Sequence, residues 1–249
     1  MFSRTTAMET SIRVEEERIR AAYAKRIKND LVYSCFNPGQ LFLLQEVERR
    51  MLALLRKHGF SALNKVKILE IGCGTGYWLR EFIKWGAKPE HMTGLDLLPD
   101  RIEQAKKSCP PATKLYCGNA ERLAFADSTF DLVLQSTAFT SILDRGLKQR
   151  VAGEMLRVLR DDGLILWYDY FVNNPWNPDV RGVKKQEIKE LFPACNTNLR
   201  RITLAPPIAR WLAPRSWLMA HLLERFSPLC THYIGAIRKA QAKLSYRIS

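Results

Sequence analysis

The chain has 249 residues, 47% of them hydrophobic and 26% charged, which suits a globular protein with one sizeable core and a small accessory piece. No run approaches the roughly eighteen apolar residues of a membrane span, and the opening MFSRTTAMETSIRVEEER lacks the apolar centre of a secretory signal; a cytoplasmic location is expected. The net charge of +14 is uneven: residues 171–249 carry 13 basic and 4 acidic side chains, residues 65–170 carry 15 and 14. Such a field attracts a phosphate-bearing substrate, an anionic membrane surface or nucleic acid, or else only solvates one face. Cysteines 35, 73, 109, 117, 195 and 230 form no CxxC pair and no zinc-ligand spacing, so free thiols and no metal site are expected.

Residues 1–64 read as a helical cap. VEEERIRAAYAKRIK is rich in helix formers, and QLFLLQEVERRMLALLRKHG returns apolar residues every three to four positions before Gly59. Asn37-Pro38-Gly39 breaks the two apart. From Lys65 the pattern alternates. KVKILEIG, HMTGLDL, TKLYCGNA, FDLVLQS and LILWYDY read as strands, and YWLREFIKWG, RIEQAKKSC and LKQRVAGEMLRVLRDDG as the helices between them, the last ending at Gly163. Near-continuous apolar strands joined by helices predict a parallel sheet covered on both faces. After Tyr170 come a helix at KKQEIKELF, a strand at NLRRITLAP, an amphipathic helical pair broken at Pro214, and a last strand at THYIGAIRK.

The predicted fold is therefore α/β: a Rossmann-like, doubly wound, mostly parallel seven-stranded sheet with an antiparallel edge strand. The helical cap precedes it and a helical insertion separates its last two strands. The division is 1–64 for the cap and 65–249 for the main domain, with 65–170 as cofactor core and 171–249 as a basic substrate-side region.

The first strand runs into ILEIGCGTGYW, with Gly72, Gly74 and Gly76 at alternate positions. Open α/β sheets bind ligands at this end of their strands. A dinucleotide fingerprint wants GxGxxG; here the third glycine comes one position early and Tyr77 stands in its place. Asp96 ends the second strand, where a carboxylate suits any ribose with free hydroxyls.

Five stretches occur together in order: ILEIGCGTG, GLDL, GNAERLAF, FDLVLQS and EMLRVLRDDG. On these the chain resembles the class I S-adenosylmethionine-dependent methyltransferases, in particular the small-molecule group with quinone-biosynthesis-like members, over Lys65–Tyr170. The resemblance implies S-adenosyl-L-methionine as cofactor. It implies Glu70, Gly72, Gly74 and Gly76 around the methionyl part, Asp96 on the ribose hydroxyls and Leu97 beside the adenine. Asn119 and Ala120 fall in the loop that reads the adenine edge, with Asn119 where many relatives carry Asp, and the Gln135 backbone carbonyl faces the cofactor's amino group. The alternative for Glu70 is a strand-end carboxylate satisfied by backbone. NNPW at 173–176 lies after the fifth strand, the wrong place for the Asn-Pro-Pro-Tyr type motif of amide methylators.

If the acceptor is a hydroxyl, a general base helps. Asp169, at the end of the fifth strand, reads as base, substrate anchor or structural carboxylate. His232 is the other titrating candidate, against a satisfied edge-strand histidine. Tyr23, Tyr33 and Phe36 are candidates for an aromatic lid. Trp211, Arg215, Trp217 and Arg225 suit an interfacial helix or the wall of a pocket for a bulky anion. The ending LAPPIARWLAP…THYIGAIRK also resembles methyltransferases of bacterial surface-polysaccharide assembly. That implies a small-molecule or glycan acceptor, lipid-linked or phosphate-bearing, with peripheral contact at the inner membrane surface. Alternatives are a quinone-like or lipid aromatic acceptor, a non-catalytic nucleic-acid-binding protein on the same fold, and a nicotinamide-dependent oxidoreductase. No aromatic-basic RNA module is present, so nucleic acid is not the expected partner.

Overall fold

In the computed structural model the backbone is described for residues 2–25 and 30–240, and side chains for 10–25 and 31–240. The parts of the cap at residues 1 and 26–29, and the end of the basic region at 241–249, lie outside the described residues. The chain opens with helices α1 (Phe2–Ala24), α2 (Asp30–Tyr33) and α3 (Pro38–Lys57). Asn37-Pro38-Gly39 starts α3 as well as ending what precedes it. The Asn37 side chain accepts the N–H groups of Gly39 and Gln40, and Pro38 occupies the first turn, where a missing N–H costs nothing. The buried face of α3 is Phe42, Leu43, Val47, Met51 and Leu55, with Glu46 among them.

Next come β1 (Ile68–Ile71), α4 (Tyr77–Lys84), β2 (Met92–Asp96), α5 (Pro99–Ser108), β3 (Lys114–Cys117), β4 (Phe130–Ser136), α6 (Arg145–Val158) and β5 (Leu159–Tyr170). The last third holds α7 (Lys185–Leu191), β6 (Cys195–Leu204), α8 (Pro206–Leu212), α9 (Trp217–Glu224) and β7 (Cys230–Lys239). The seven strands form one sheet in the order β3-β2-β1-β4-β5-β7-β6. The β3-to-β5 side is parallel, and β7 runs antiparallel to both β5 and β6. The winding reverses between β1 and β4, the switch point at which such sheets hold ligands.

Two apolar layers cover the sheet. Alternation sends Leu69, Ile71, Val133, Ile165 and Trp167 to one face, packed with Val151 and Met155 of α6. Ile68, Leu132, Leu134, Leu164 and Leu166 go to the other, packed with Leu79, Phe82 and Met51. Burying each such side chain stabilises by about 1.5–3 kcal/mol. A smaller cluster of Phe42, Leu43, Leu204, Ala209, Ala213 and Ala220 fixes the α8–α9 insertion to α3.

One boundary differs from the sequence expectation. The helix expected to run to Gly163 stops at Val158, and residues 159–163 begin β5. Leu159 pairs with Phe130 across an irregularity in the ladder, Arg160 meets Asp131 at 3.3 Å, and Lys239 meets Asp161 at 2.9 Å. Cross-strand partners outweigh local helix propensity here. Asp131 itself accepts the Lys67 N–H at 2.8 Å, a strand-start tie.

Candidate cofactor-binding site

The turn after β1 is laced to the end of β2. Gly72 N–H and Cys73 N–H both donate to the Leu95 carbonyl, at 2.8 and 3.0 Å. The Asp96 carboxylate then accepts Gly74 N–H at 2.8 Å through one oxygen and Leu98 N–H at 2.9 Å through the other. Gly72 has φ +71°, a region that glycine enters at no steric cost. A Cβ there would lie 2.8 Å from the Ala138 side chain, so the β1 and β4 loops meet in the space a side chain would need.

The loop after β4 forms the opposite wall. Trp78 Nε1 donates to Ser136 Oγ at 2.9 Å, Thr137 N–H to the Tyr168 carbonyl at 2.8 Å, and Ala138 N–H to Gln135 Oε1 at 3.2 Å. Helix α1 closes the mouth. Glu15 Oε1 accepts the N–H groups of Leu143 (2.5 Å) and Asp144 (3.2 Å). Arg18 donates to the carbonyls of Ser141 and Asp179, and the hydroxyls of Tyr23 and Ser141 are 3.0 Å apart. Burial would raise the Glu15 carboxyl, but the hydrogen bonds from Arg18, Leu143 and Asp144 outweigh it and hold the group below its ordinary value.

Between these walls lies a cleft of about 860 Å³, open mouth included, lined by residues of α1, the glycine turn, the end of β2, the β3 exit and the β4 loop. Of the expected cofactor residues Gly72, Gly74, Asp96, Leu97, Asn119 and Ala120 line it. Asn119 Nδ2 donates to Glu16 Oε1 at 2.6 Å while its Oδ1 accepts Glu121 N–H at 2.9 Å. Helix α1 thus brings a carboxylate to this strand exit. Arg101 lies 4.7 Å from the Tyr23 ring centroid, one cation stacked on an aromatic face at the rim.

Three expected cofactor residues stand elsewhere. Gly76 packs against α5, where an added Cβ would meet Cys109 Sγ at 2.5 Å; its task is close helix packing. Glu70 is buried under the turn, and desolvation, followed by the charge of Asp96, pushes its carboxyl well above the ordinary range. The Gln135 side chain is wholly buried and props the β4 loop through Ala138 N–H.

Neither catalytic candidate lines the cleft. The Asp169 carboxylate is fully buried, accepting Thr140 N–H at 3.2 Å and Tyr170 N–H at 2.9 Å. Burial raises it to about 7, against those hydrogen bonds and the nearby Lys148. It positions the Thr137–Ser141 wall from behind. His232 is stacked on Tyr168 with centroids 4.8 Å apart, its Nδ1 is 2.9 Å from Thr231 Oγ1, and burial lowers its pKa to about 3. The ring is an interior side chain. Of the aromatic lid candidates, Tyr23 faces the cleft. Tyr33 lies under Arg210, 5.4 Å from the guanidinium to the ring centroid, and Phe36 is solvent-exposed. The sequence reading missed Glu16, Ile19 and Arg101, which line the cleft. The helical spacing of Glu16 and Ile19 on α1 was visible, but nothing local says which loops α1 meets.

A Rossmann-like sheet with a glycine-rich turn at its switch point and a carboxylate at the end of the next strand has the architecture of a nucleoside-cofactor domain. Residues 68–163 match the family model described as "Methyltransferase domain". The sterol 24-C-methyltransferase of Neurospora crassa is 24% identical over 220 residues, covering 85% of this chain and 55% of that protein. The ubiquinone biosynthesis O-methyltransferase of Azorhizobium caulinodans is 34% identical over 128 residues, 48% of this chain and 47% of that one. The chain spans about half the length of these relatives. Among solved structures, a putative sarcosine dimethylglycine methyltransferase from Galdieria sulphuraria superposes with a TM-score of 0.58 at 15% identity, covering 79% of this chain and 86% of that one. A SAM-dependent methyltransferase from Methanosarcina mazei gives 0.54 at 18%, covering 72% and 95%. The fold is thus that of the class I methyltransferases, residues 68–163 match a methyltransferase domain, and the cofactor that this match implies is S-adenosylmethionine. The cleft fits it: an open glycine floor, a strand-end carboxylate with lone pairs to spare, and Glu16 and Asp96 against the single cation Arg101 among its lining residues.

Proposed function

We propose that the chain transfers a methyl group from S-adenosylmethionine to a small lipid-like acceptor. The observation that carries this reading is the cleft at the switch point, where Asp96 and the Gly72–Gly74 turn are locked together by backbone hydrogen bonds. The bound cofactor supplies an electrophilic methyl on a sulfonium. In this reading Asp96 orients the ribose, Asn119 and Glu16 face the adenine side, and α1 keeps water out. Both carboxylates among the lining residues are engaged, Asp96 with backbone amides and Glu16 with Asn119. Rate enhancement then rests on alignment in a dry cleft more than on proton removal.

The glycan hydroxyl expected from the sequence ending has no support in the comparisons, whose names concern sterols, malonyl-acyl carrier protein, ubiquinone biosynthesis and phthiotriol dimycocerosates. An apolar, aromatic insertion on the same rim as the cleft further favours a lipid. Calorimetric titration with S-adenosylmethionine tests the reading, with Asp96→Ala as the control variant. Each charge-assisted hydrogen bond is worth about 1.5–3 kcal/mol, so the variant is expected to bind at least about tenfold more weakly with its far-UV dichroism unchanged. No binding by the parent, or equal binding by the variant, refutes it.

A further inference from the structure

Helix α9, WLMAHLLE, is turned inside out. It buries Ala220 and Glu224 and exposes Leu218 (69%), Met219, Leu222 and part of Trp217. Trp211 of α8 (61%) and Phe226 just beyond α9 (58%) extend the same apolar surface. Single exposed apolar residues are ordinary, whereas six large ones within sixteen positions form a patch that a solitary soluble protein seldom shows.

The outward charges of the insertion itself have one sign. Arg210, Arg215 and Arg225 belong to the insertion, with Arg215 stacked 4.9 Å from the Trp211 ring centroid. Glu224, its one acidic residue, is turned inward and held by Arg49 at 3.5 Å and His221 at 2.8 Å. Outward-facing tryptophan, leucine and phenylalanine with arginine and no outward acid is the chemistry of an interfacial anchor on anionic lipid. A second copy of the chain is the poorer occupant, because an isologous contact would set arginine against arginine.

The position suits a membrane seat. The insertion joins the carboxyl end of β6 to the start of β7, where Leu204 pairs with Cys230, and His232 pairs with Tyr170 at the carboxyl end of β5. This is the rim of the sheet that carries the cleft, and the exposed Trp176 (89%) belongs to the loop that leaves β5 there. We infer that the α8–α9 face docks the protein on an anionic lipid surface and sets the cleft rim beside the bilayer. This docking does not depend on the methyl-transfer reading, though it would explain how that reaction reaches a lipid acceptor.

The test is co-sedimentation of the full chain with phosphatidylcholine vesicles, with and without phosphatidylglycerol, at low and high salt. Binding is expected only to the anionic vesicles, with a blue shift of tryptophan emission and loss in high salt. Near an anionic surface each arginine contributes about fivefold, so the pair Arg215→Gln and Arg225→Gln should lower partitioning on the order of thirtyfold. The pair Leu218→Glu and Leu222→Glu should abolish it. Both pairs keep cofactor affinity, which separates failure here from failure of the proposed function. No partitioning by the parent, equal partitioning to neutral vesicles, or a dimer in sedimentation velocity that the Leu218 and Leu222 changes dissolve, overturns the inference.

Discussion

Glu46 sits on the buried face of α3 with no exposed surface, one carboxylate oxygen accepting Thr203 N–H at 3.1 Å and the other without a hydrogen-bond partner among the described residues. Burial, followed by the charge of Glu224, raises its pKa to about 7, against Thr203, Arg50 and Arg49. The ordinary value is 4.5, so at about 1.4 kcal/mol per pKa unit the group is worth about 3 kcal/mol of pH-dependent stability. The sign follows from proton counting. Between pH 4.5 and about 7 the native state holds a proton that the unfolded chain has released, so this stability is complete at lower pH and is lost as pH rises. Glu46→Gln keeps an acceptor for Thr203 and stays neutral throughout. The variant is therefore expected to match the parent within about 1 kcal/mol near pH 5 and to exceed it by up to about 3 kcal/mol near pH 8.5. In urea denaturation that excess is a midpoint shift of about 1 M, taking a slope near 3 kcal/mol/M. Equal parent-to-variant differences at both pH values would refute the reasoning, because Glu46 would then titrate normally in the fold.

Gly76→Ala adds a Cβ 2.5 Å from Cys109 Sγ at a residue with φ +78°, whereas Gly59→Ala at φ +89° meets nothing within 4 Å. The first is expected to cost about 2–4 kcal/mol and the second about 1–2. Chemical denaturation measures both, and Cys109→Ala should recover part of the first loss only; identical costs would mean that α5 does not press on the turn. Glu15→Ala removes the acceptor for Leu143 and Asp144 and the partner of Arg18. Trypsin should then cut at Arg13, Arg18 and Arg20 several-fold faster, and S-adenosylmethionine should protect those sites in the parent. Unchanged cleavage, or no protection, would show that α1 does not close over the cofactor.

Much of the sheet was legible because its signal is local. Apolar runs leading into Gly72 and Asp96 mark β1 and β2, and FDLVLQS coincides with Phe130–Ser136 of β4 residue for residue. The glycine turn and Asp96 were legible for the same reason: the conformation of Gly72 and Gly74 belongs to those residues themselves. The end of α6 was misread because RVLRDDG carries good helix formers, while the partners that draw residues 159–163 into β5 are Phe130, Asp131 and Lys239, remote in sequence.

By itself the sequence determined the alternating architecture, the switch-point turn and the strand-end carboxylate, since periodicity and glycine geometry act within a few residues. Tertiary structure alone decided that Asp169 and His232 lie inside the protein, that Gly76 serves packing, that Glu16 crosses from α1 to Asn119, and that α9 shows its large apolar side chains to the outside. The physical reason is common to all four. Periodicity says that one face of an element is apolar, but whether that face meets a neighbour or solvent depends on residues a hundred or more positions away, such as those that seat α1 on Asn119 and α9 on α3.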